Sequence, residues 1–224
     1  MKSQPFTEDW LWYSVRRGLL DEDLETMRSA MQGSVLEIGA GREGRRGEFI
    51  PPLEQASQWI TLDRYHTTPH LRGDIQNLPF GSHSYDTVVC LEVLEYVESP
   101  ARALAEIKRM LKTNSKFVLA TPFLHRMDSE KDLWRFTEQG LRYLLEEAGF
   151  QILDFKKQGA ALAVAVNILK YALRVQPAGW RRTWLIRLGR PLLNWLARMD
   201  AKSSTAQPVL QSFSTGYLVL AEAN

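Results

Sequence analysis

The sequence predicts an α/β fold: a seven-stranded, mostly parallel sheet whose last strand is antiparallel, with a helical N-terminal cap and a helical insert before that last strand. Two observations carry the prediction. Short apolar runs rich in β-branched residues alternate with segments of helical period, the order that builds right-handed parallel βαβ units. The first such run, Ser34-Val35-Leu36-Glu37-Ile38, enters a glycine-rich turn directly, Gly39-Ala40-Gly41-Arg42-Glu43-Gly44. A chain of 224 residues, 45% hydrophobic and 24% charged, is long enough for one well-cored domain and too short for two of ordinary size. We divide it into a cap (1–33), a core (34–158), a basic insert (159–200) and a last-strand segment (201–224).

Each element follows from local pattern. Between Phe6 and Met31, Trp10, Trp12, Tyr13, Val15, Leu19, Leu20, Leu24 and Met27 recur among charges at spacings that suit one or two amphipathic helices. Strand-like runs follow at 34–39, 59–63 and, weakly, 71–74, with room for a helix between the first two. Tyr85-Asp86-Thr87-Val88-Val89-Cys90-Leu91 reads as a strand buried on both faces. Pro100 opens a helix to Leu111 with Ala103, Leu104, Ile107 and Met110 inward. Lys116–Thr121 is the fifth strand, stopped by Pro122. Thr137 caps a helix that ends at Gly149, with Leu141, Leu144, Leu145 and Ala148 on its apolar face. Strands at 150–155 and 216–221 complete the sheet, and 201–211 is polar enough for a loop.

Cysteine usage bounds the compartment. Cys90 stands alone, so the chain can form neither an internal disulfide nor a thiolate metal cluster, and a reducing cytoplasm is expected. The N-terminus has no basic region leading into an apolar stretch, so no export signal is read there.

Ligands of such sheets bind beyond the carboxyl ends of the strands. The G-x-G-x-x-G turn sits in that position and lets backbone approach a nucleotide-like ligand. Asp63 ends the second strand 24 positions after Gly39, where a carboxylate can accept from both hydroxyls of a ribose. This pair suits a dinucleotide as well as an adenosyl ligand. Glu37, two residues before Gly39, separates them: a carboxylate is repelled by a pyrophosphate and attracted by a sulfonium or ammonium group.

In order, Val35-Leu36-Glu37-Ile38-Gly39-Ala40-Gly41, Leu62-Asp63, Gly73-Asp74-Ile75-Gln76-Asn77-Leu78-Pro79-Phe80 and the run from Tyr85 to Val97 resemble the successive signatures of class I methyltransferases of the type-11 group, Rossmann-like enzymes that use S-adenosyl-L-methionine. Asp132-Leu133-Trp134-Arg135-Phe136-Thr137 resembles a D-x-W-R-F-T stretch found after the fifth strand in a subgroup of them. The resemblance covers residues 34–154 and implies that Glu37, Gly39 and Gly41 hold the methionine part, Asp63 the ribose, and Asp74 with the Ile75 amide the adenine. Leu91 and Glu92 would wall the sulfonium, and Gly44 and Arg64 complete the cofactor set. The chain departs from the group in having Tyr96 where histidine is common, which removes a histidine base from that position, and Thr113-Asn114-Ser115 where Pro-Gly-Gly is common.

Methyl transfer from a sulfonium is an in-line displacement that needs a base only for a protonated acceptor. His125 and Asp128, after the fifth strand, are the catalytic candidates, with Asp132 nearby; Trp10, Tyr13, Trp134 and Arg135 are candidates for the acceptor pocket. No metal is expected, because the one His-x-x-x-His spacing, His66 and His70, straddles Pro69.

From Phe155 to Met199 there are nine Lys or Arg and no Asp or Glu. Trp184, Leu185, Leu188, Leu192, Trp195, Leu196 and Met199 share one helical face, with Pro191 expected to divide the segment into two short helices. The insert, 160–199, is read either as a lid over the pocket or as a peripheral membrane contact at the inner face of the membrane, the latter implying a lipid-linked acceptor. No nucleic-acid-binding module is visible. The functional expectation is methyl transfer to a small-molecule or lipid-linked acceptor; a silent cofactor-binding module and a nicotinamide oxidoreductase are the alternatives.

Overall fold

The computed structural model describes residues 9–41, 47–65, 70–203 and 209–224. Two N-terminal helices, α1 (Asp9–Trp12) and α2 (Val15–Thr26), precede β1 (Gly33–Ile38), β2 (Ala56–Asp63), β3 (Leu71–Arg72) and β4 (Tyr85–Leu91). Then come α3 (Pro100–Met110), β5 (Leu111–Pro122), α4 (Glu138–Glu147), β6 (Phe150–Lys157), α5 (Ala161–Arg174), α6 (Trp180–Ser203) and β7 (Gly216–Ala223). The seven strands are ordered β3-β2-β1-β4-β5-β7-β6. All neighbours from β3 to β5 are parallel, while β7 runs antiparallel to both β5 and β6.

Alternation along the strands explains why they read as continuous apolar runs. Leu36, Ile38, Val88, Cys90, Phe117, Leu119 and Val219 face one side, where Leu104, Ile107 and Met110 of α3 and Leu141 and Leu145 of α4 cover them. Val35, Val89, Val118, Ala120 and Leu218 face the other, against Leu20 and Leu24 of α2 with Met27, Met31 and Phe49. A strand covered on both faces gains from every side chain, about 1.5–3 kcal/mol for each fully buried Leu, Ile, Val or Phe.

Three expectations need correction. No α-helix lies between β1 and β2 among the described residues; 47–55 runs as loop into a 3-10 turn, Leu53–Gln55. Pro51 and Pro52 lack the amide hydrogens a helix there would use. Pro191 does not divide the second insert helix, because α6 is unbroken through it. Its ring lies on the exposed side and only one intrahelical bond is forfeited. The segment read as a loop from Ala201 is helical as far as Ser203.

α6 folds back along α5. Asp200, buried at 2% exposure, accepts from the amides of Ala160, Leu162 and Ala163, capping the N-terminus of α5 with a negative charge. Trp10 and Leu11 wedge between the two helices against Val166 and Leu193. The first acidic residue after the basic run therefore has a structural task.

Candidate functional site

The carboxyl ends of β3, β2, β1 and β4 stand side by side, so the residues that follow them form a row along one sheet edge. Gly39 N–H donates to the Leu62 carbonyl at 2.8 Å, tying the first turn to the end of β2. Gly39 has φ +77°, and a Cβ there would overlap Val93 Cγ2, so both backbone and neighbour demand glycine. At Gly41, φ +68°, a Cβ would meet nothing within 4 Å among the described residues.

Asp63 fastens that turn. One carboxylate oxygen accepts from Gly41 N–H at 3.0 Å and the other from Tyr65 N–H at 2.8 Å. Glu37, 5% exposed, accepts from Trp59 Nε1 at 2.8 Å. Asp74 accepts from Gln76 N–H at 3.0 Å and faces the Arg64 guanidinium at 3.4 Å, while the Ile75 side chain is buried in the core. Leu91 ends β4 half-buried. Glu92 next to it has φ +61°, a left-handed conformation that costs a branched or bulky residue energy and is held here by Glu92 N–H to Ala120 O at 3.0 Å. Gly44 lies outside the described residues.

A buried ionic cluster adjoins this row. Arg16, 4% exposed on α2, makes a two-pronged contact with the Glu92 carboxylate and donates from Nε to the Thr215 carbonyl at 3.2 Å. Glu95, 2% exposed, has a carboxylate oxygen without a hydrogen-bond partner. Burial, and then the Glu92 charge, push its pKa well above the usual carboxylate range. Burial does the same to the Tyr96 phenol, raising it above the ordinary tyrosine range with help from Glu95.

His125 follows β5, largely buried. Nε2 lies 3.7 Å from Asp128, whose other oxygen pairs with Arg126 at 2.5 Å, while Nδ1 is buried without a hydrogen-bond partner. Its ring meets Tyr171 of α5 edge-on at 5.6 Å. Gln158 after β6 and Asn167 on α5 also bury amide atoms without partners.

The D-x-W-R-F-T stretch proves to be a clamp. The amides of Leu133 and Trp134 donate to the Glu95 carbonyl, and the Trp134 indole donates to Val97 O at 2.8 Å. Arg135 grips Asp132 with both guanidinium nitrogens; burial raises the Asp132 acid, but these bonds prevail and hold it below the usual range. Phe136 is buried and Thr137 accepts from Gly140 N–H at the head of α4. Of the acceptor candidates, Trp10 donates to Asn194 at 3.0 Å between α1 and α6, and Tyr13 donates to Asp21 at 2.8 Å.

Sequence reasoning missed Arg16 and Glu95. Glu92 and Glu95, three apart in an otherwise apolar run, were the available sign that a buried cation must approach from elsewhere.

This topology and this row of strand-end residues define a Rossmann-like methyltransferase fold. Residues 51–119 of the chain match the family described as a methyltransferase domain. The chain is 23% identical over 155 residues to the ubiquinone biosynthesis O-methyltransferase of Neisseria meningitidis serogroup A, covering 54% of this chain and 65% of that one. It is 28% identical over 114 residues to a chloroplastic 2-methyl-6-phytyl-1,4-hydroquinone methyltransferase of Oryza sativa, covering 48% and 33%. Among solved structures, the 1,6-didemethyltoxoflavin-N1-methyltransferase of Burkholderia thailandensis, with bound S-adenosylhomocysteine, superposes with a TM-score of 0.54 at 15% identity, covering 97% of this chain and 81% of that one. The chain spans 26% to 65% of the length of the curated relatives it matches.

Proposed function

We propose that this protein transfers the methyl group of S-adenosylmethionine to a small-molecule acceptor, and that this acceptor is lipid-linked. The observation that carries the first part is the Gly39–Gly41 turn pinned by Asp63 beside Asp74 and Glu92 at the tips of adjacent strands. The lack of a side chain at Gly39 and Gly41 suits a ligand that lies against backbone. Glu37, Gly39 and Gly41 hold the methionine part, Asp63 the ribose, Asp74 and the Ile75 amide the adenine, and Leu91 with Glu92 the wall beneath the reacting carbon. When bound, the sulfonium supplies an electrophilic methyl group.

This chain's own share of catalysis is orientation in a site with little water, a contribution of up to about 7–11 kcal/mol for a well-aligned pair. The buried Arg16–Glu92 pair and the clamp at 132–137 fix the strand-end loops on which alignment depends. His125 takes the acceptor's proton where there is one to take, with Asp128 orienting its ring. Two matched relatives carry names of quinone-type methylation, which supports an acceptor with a lipid tail.

Calorimetric titration with S-adenosylmethionine, S-adenosylhomocysteine and NAD, followed by a methyl-transfer assay on prenylated quinols and their tail-less analogues, tests the reading. Micromolar binding of both adenosyl ligands and turnover that improves with the tail are expected. Binding of NAD alone would overturn the cofactor assignment, and binding without turnover of any acceptor would favour a silent module.

A further inference from the structure

On the outer side of α6, Trp184, Leu188, Leu192, Trp195 and Met199 succeed one another at intervals of four, four, three and four residues, a single helical stripe. They are 52%, 69%, 55%, 56% and 38% exposed. The opposite side already supplies the packing of this helix: Ile186, Leu193, Leu196 and Ala197 meet Trp10, Leu11 and Val166. The sequence therefore misleads about direction, since the face richest in Trp and Leu is the one turned away from the fold, and Leu196 belongs to the other. Neighbouring α5 likewise exposes Ile168 and Leu169, and Val175 follows just beyond its end. A contiguous apolar stripe of this kind on a folded protein marks a contact surface.

Charge chooses among the occupants. Arg187 and Arg198 are exposed along one edge of the stripe and Arg181 at its N-terminal end, in a stretch from 155 to 199 with no acidic residue. A second copy docking by two-fold symmetry would bring the same arginines face to face, which repel. An anionic surface accepts them. No helix among the described residues is long and apolar enough to cross a membrane, so the stripe would lie along a bilayer rather than through it. Tryptophan and leucine on one side with arginine at the margin is the composition of a helix seated at the headgroup boundary.

We infer that the outer face of α6 is a docking surface for an anionic phospholipid bilayer, set so that the strand-end site receives its acceptor from the membrane. The second half rests on the reading of the site as a methyltransferase for lipid-linked acceptors; the first half does not. Its geometry is direct: α5 lies between the stripe and the site, sending Tyr171 to His125 on one side and packing Val166 against α6 on the other.

Flotation of the full chain with phosphatidylglycerol-containing and pure phosphatidylcholine vesicles tests the surface. Co-flotation with the anionic vesicles alone is expected, with a blue-shifted tryptophan emission. Trp184→Ser/Trp195→Ser and Arg181→Gln/Arg187→Gln/Arg198→Gln should each weaken vesicle partition at least roughly tenfold. Circular dichroism and calorimetric cofactor affinity should not change in either variant. Absence of vesicle binding, or binding that both variants retain, would overturn the inference, as would a dimer in solution that the tryptophan variant dissolves. Vesicle binding in a protein that fails to bind S-adenosylmethionine would sustain the docking surface and defeat the proposed function instead.

Discussion

Arg16 and Glu92 form a buried, two-pronged ion pair that joins the N-terminal helix α2 to the tip of β4. Glu92 occupies a left-handed conformation, and Arg16 is 4% exposed, so the guanidinium cannot relax into solvent if its partner is lost. Glu95 stands within the field of the same guanidinium, which lowers the pKa that burial raises. Arg16→Met should therefore destabilise the fold by about 3–5 kcal/mol, the penalty for a stranded buried charge. Glu92→Gln added to it should restore a good part. Urea unfolding of both single variants and the double completes the cycle, and a coupling below about 1 kcal/mol would show that the pair is not built as described.

Gly39 and Val93 make the second relationship that a small change can probe. Gly39→Ala faces two separate costs, a left-handed backbone at φ +77° and a methyl group driven into Val93. Together they should remove about 2–4 kcal/mol. Val93→Ala in the same chain removes only the steric part, so thermal unfolding of the double variant should recover part of the loss and no more. Full recovery would mean that the backbone at Gly39 is not under the constraint seen here.

Much of this was legible because the sheet buries both faces. Runs such as Val88–Leu91 and Phe117–Ala120 are apolar throughout, and that pattern has few readings other than a central parallel strand. The strand-end site was legible for a related reason: glycines and carboxylates directly after apolar runs have little to do in a core. What escaped was long-range pairing. Arg16 and Glu92 are 76 positions apart, and nothing local says that one arginine of Arg16-Arg17 is buried while the other is not. The orientation of α6 escaped too, since an amphipathic pattern names a face without naming what it meets, and here the fold uses the less apolar side.

Asp63 accepts from two amides that belong to different loops, Gly41 and Tyr65. Asp63→Asn keeps the size but turns one acceptor oxygen into an NH2 donor, which must then face an amide hydrogen. Affinity for S-adenosylmethionine, measured by calorimetry, should fall by roughly ten- to hundredfold, with a stability loss of about 1–3 kcal/mol. An unchanged affinity would remove Asp63 from the cofactor site.

Lys170 on α5 donates to the Tyr13 carbonyl at 2.7 Å beneath Trp10, and burial, then Arg190, depress its ammonium to about 8. An unfolded lysine retains its proton to about 10.4. Between these values the unfolded chain binds more protons than the folded one, so stability should rise with pH from about 8 towards 10, with a slope approaching 1.4 kcal/mol per pH unit. Below about 8 both states are protonated and the slope should vanish. In Lys170→Met, urea unfolding across pH 7 to about 10 should show no such rise; a rise of equal size in the variant would trace the effect to another group.

His125 presents one ring nitrogen to Asp128 at 3.7 Å and buries the other without a partner at the end of β5, a disposition suited to receiving a proton from a bound acceptor. The same burial could serve packing alone against Tyr171, and the two roles part in kinetics. If the ring takes the proton, His125→Gln should lower kcat by about 10²–10⁴ and abolish the acid limb of the pH–rate profile, while KM and cofactor affinity hold. Asp128→Asn, which leaves the ring in place but weakens its orientation, should cost less and shift that limb rather than remove it. If the ring only packs, His125→Gln should lower the melting temperature and leave the profile's shape intact, and that result would assign proton removal to the acceptor itself or to solvent.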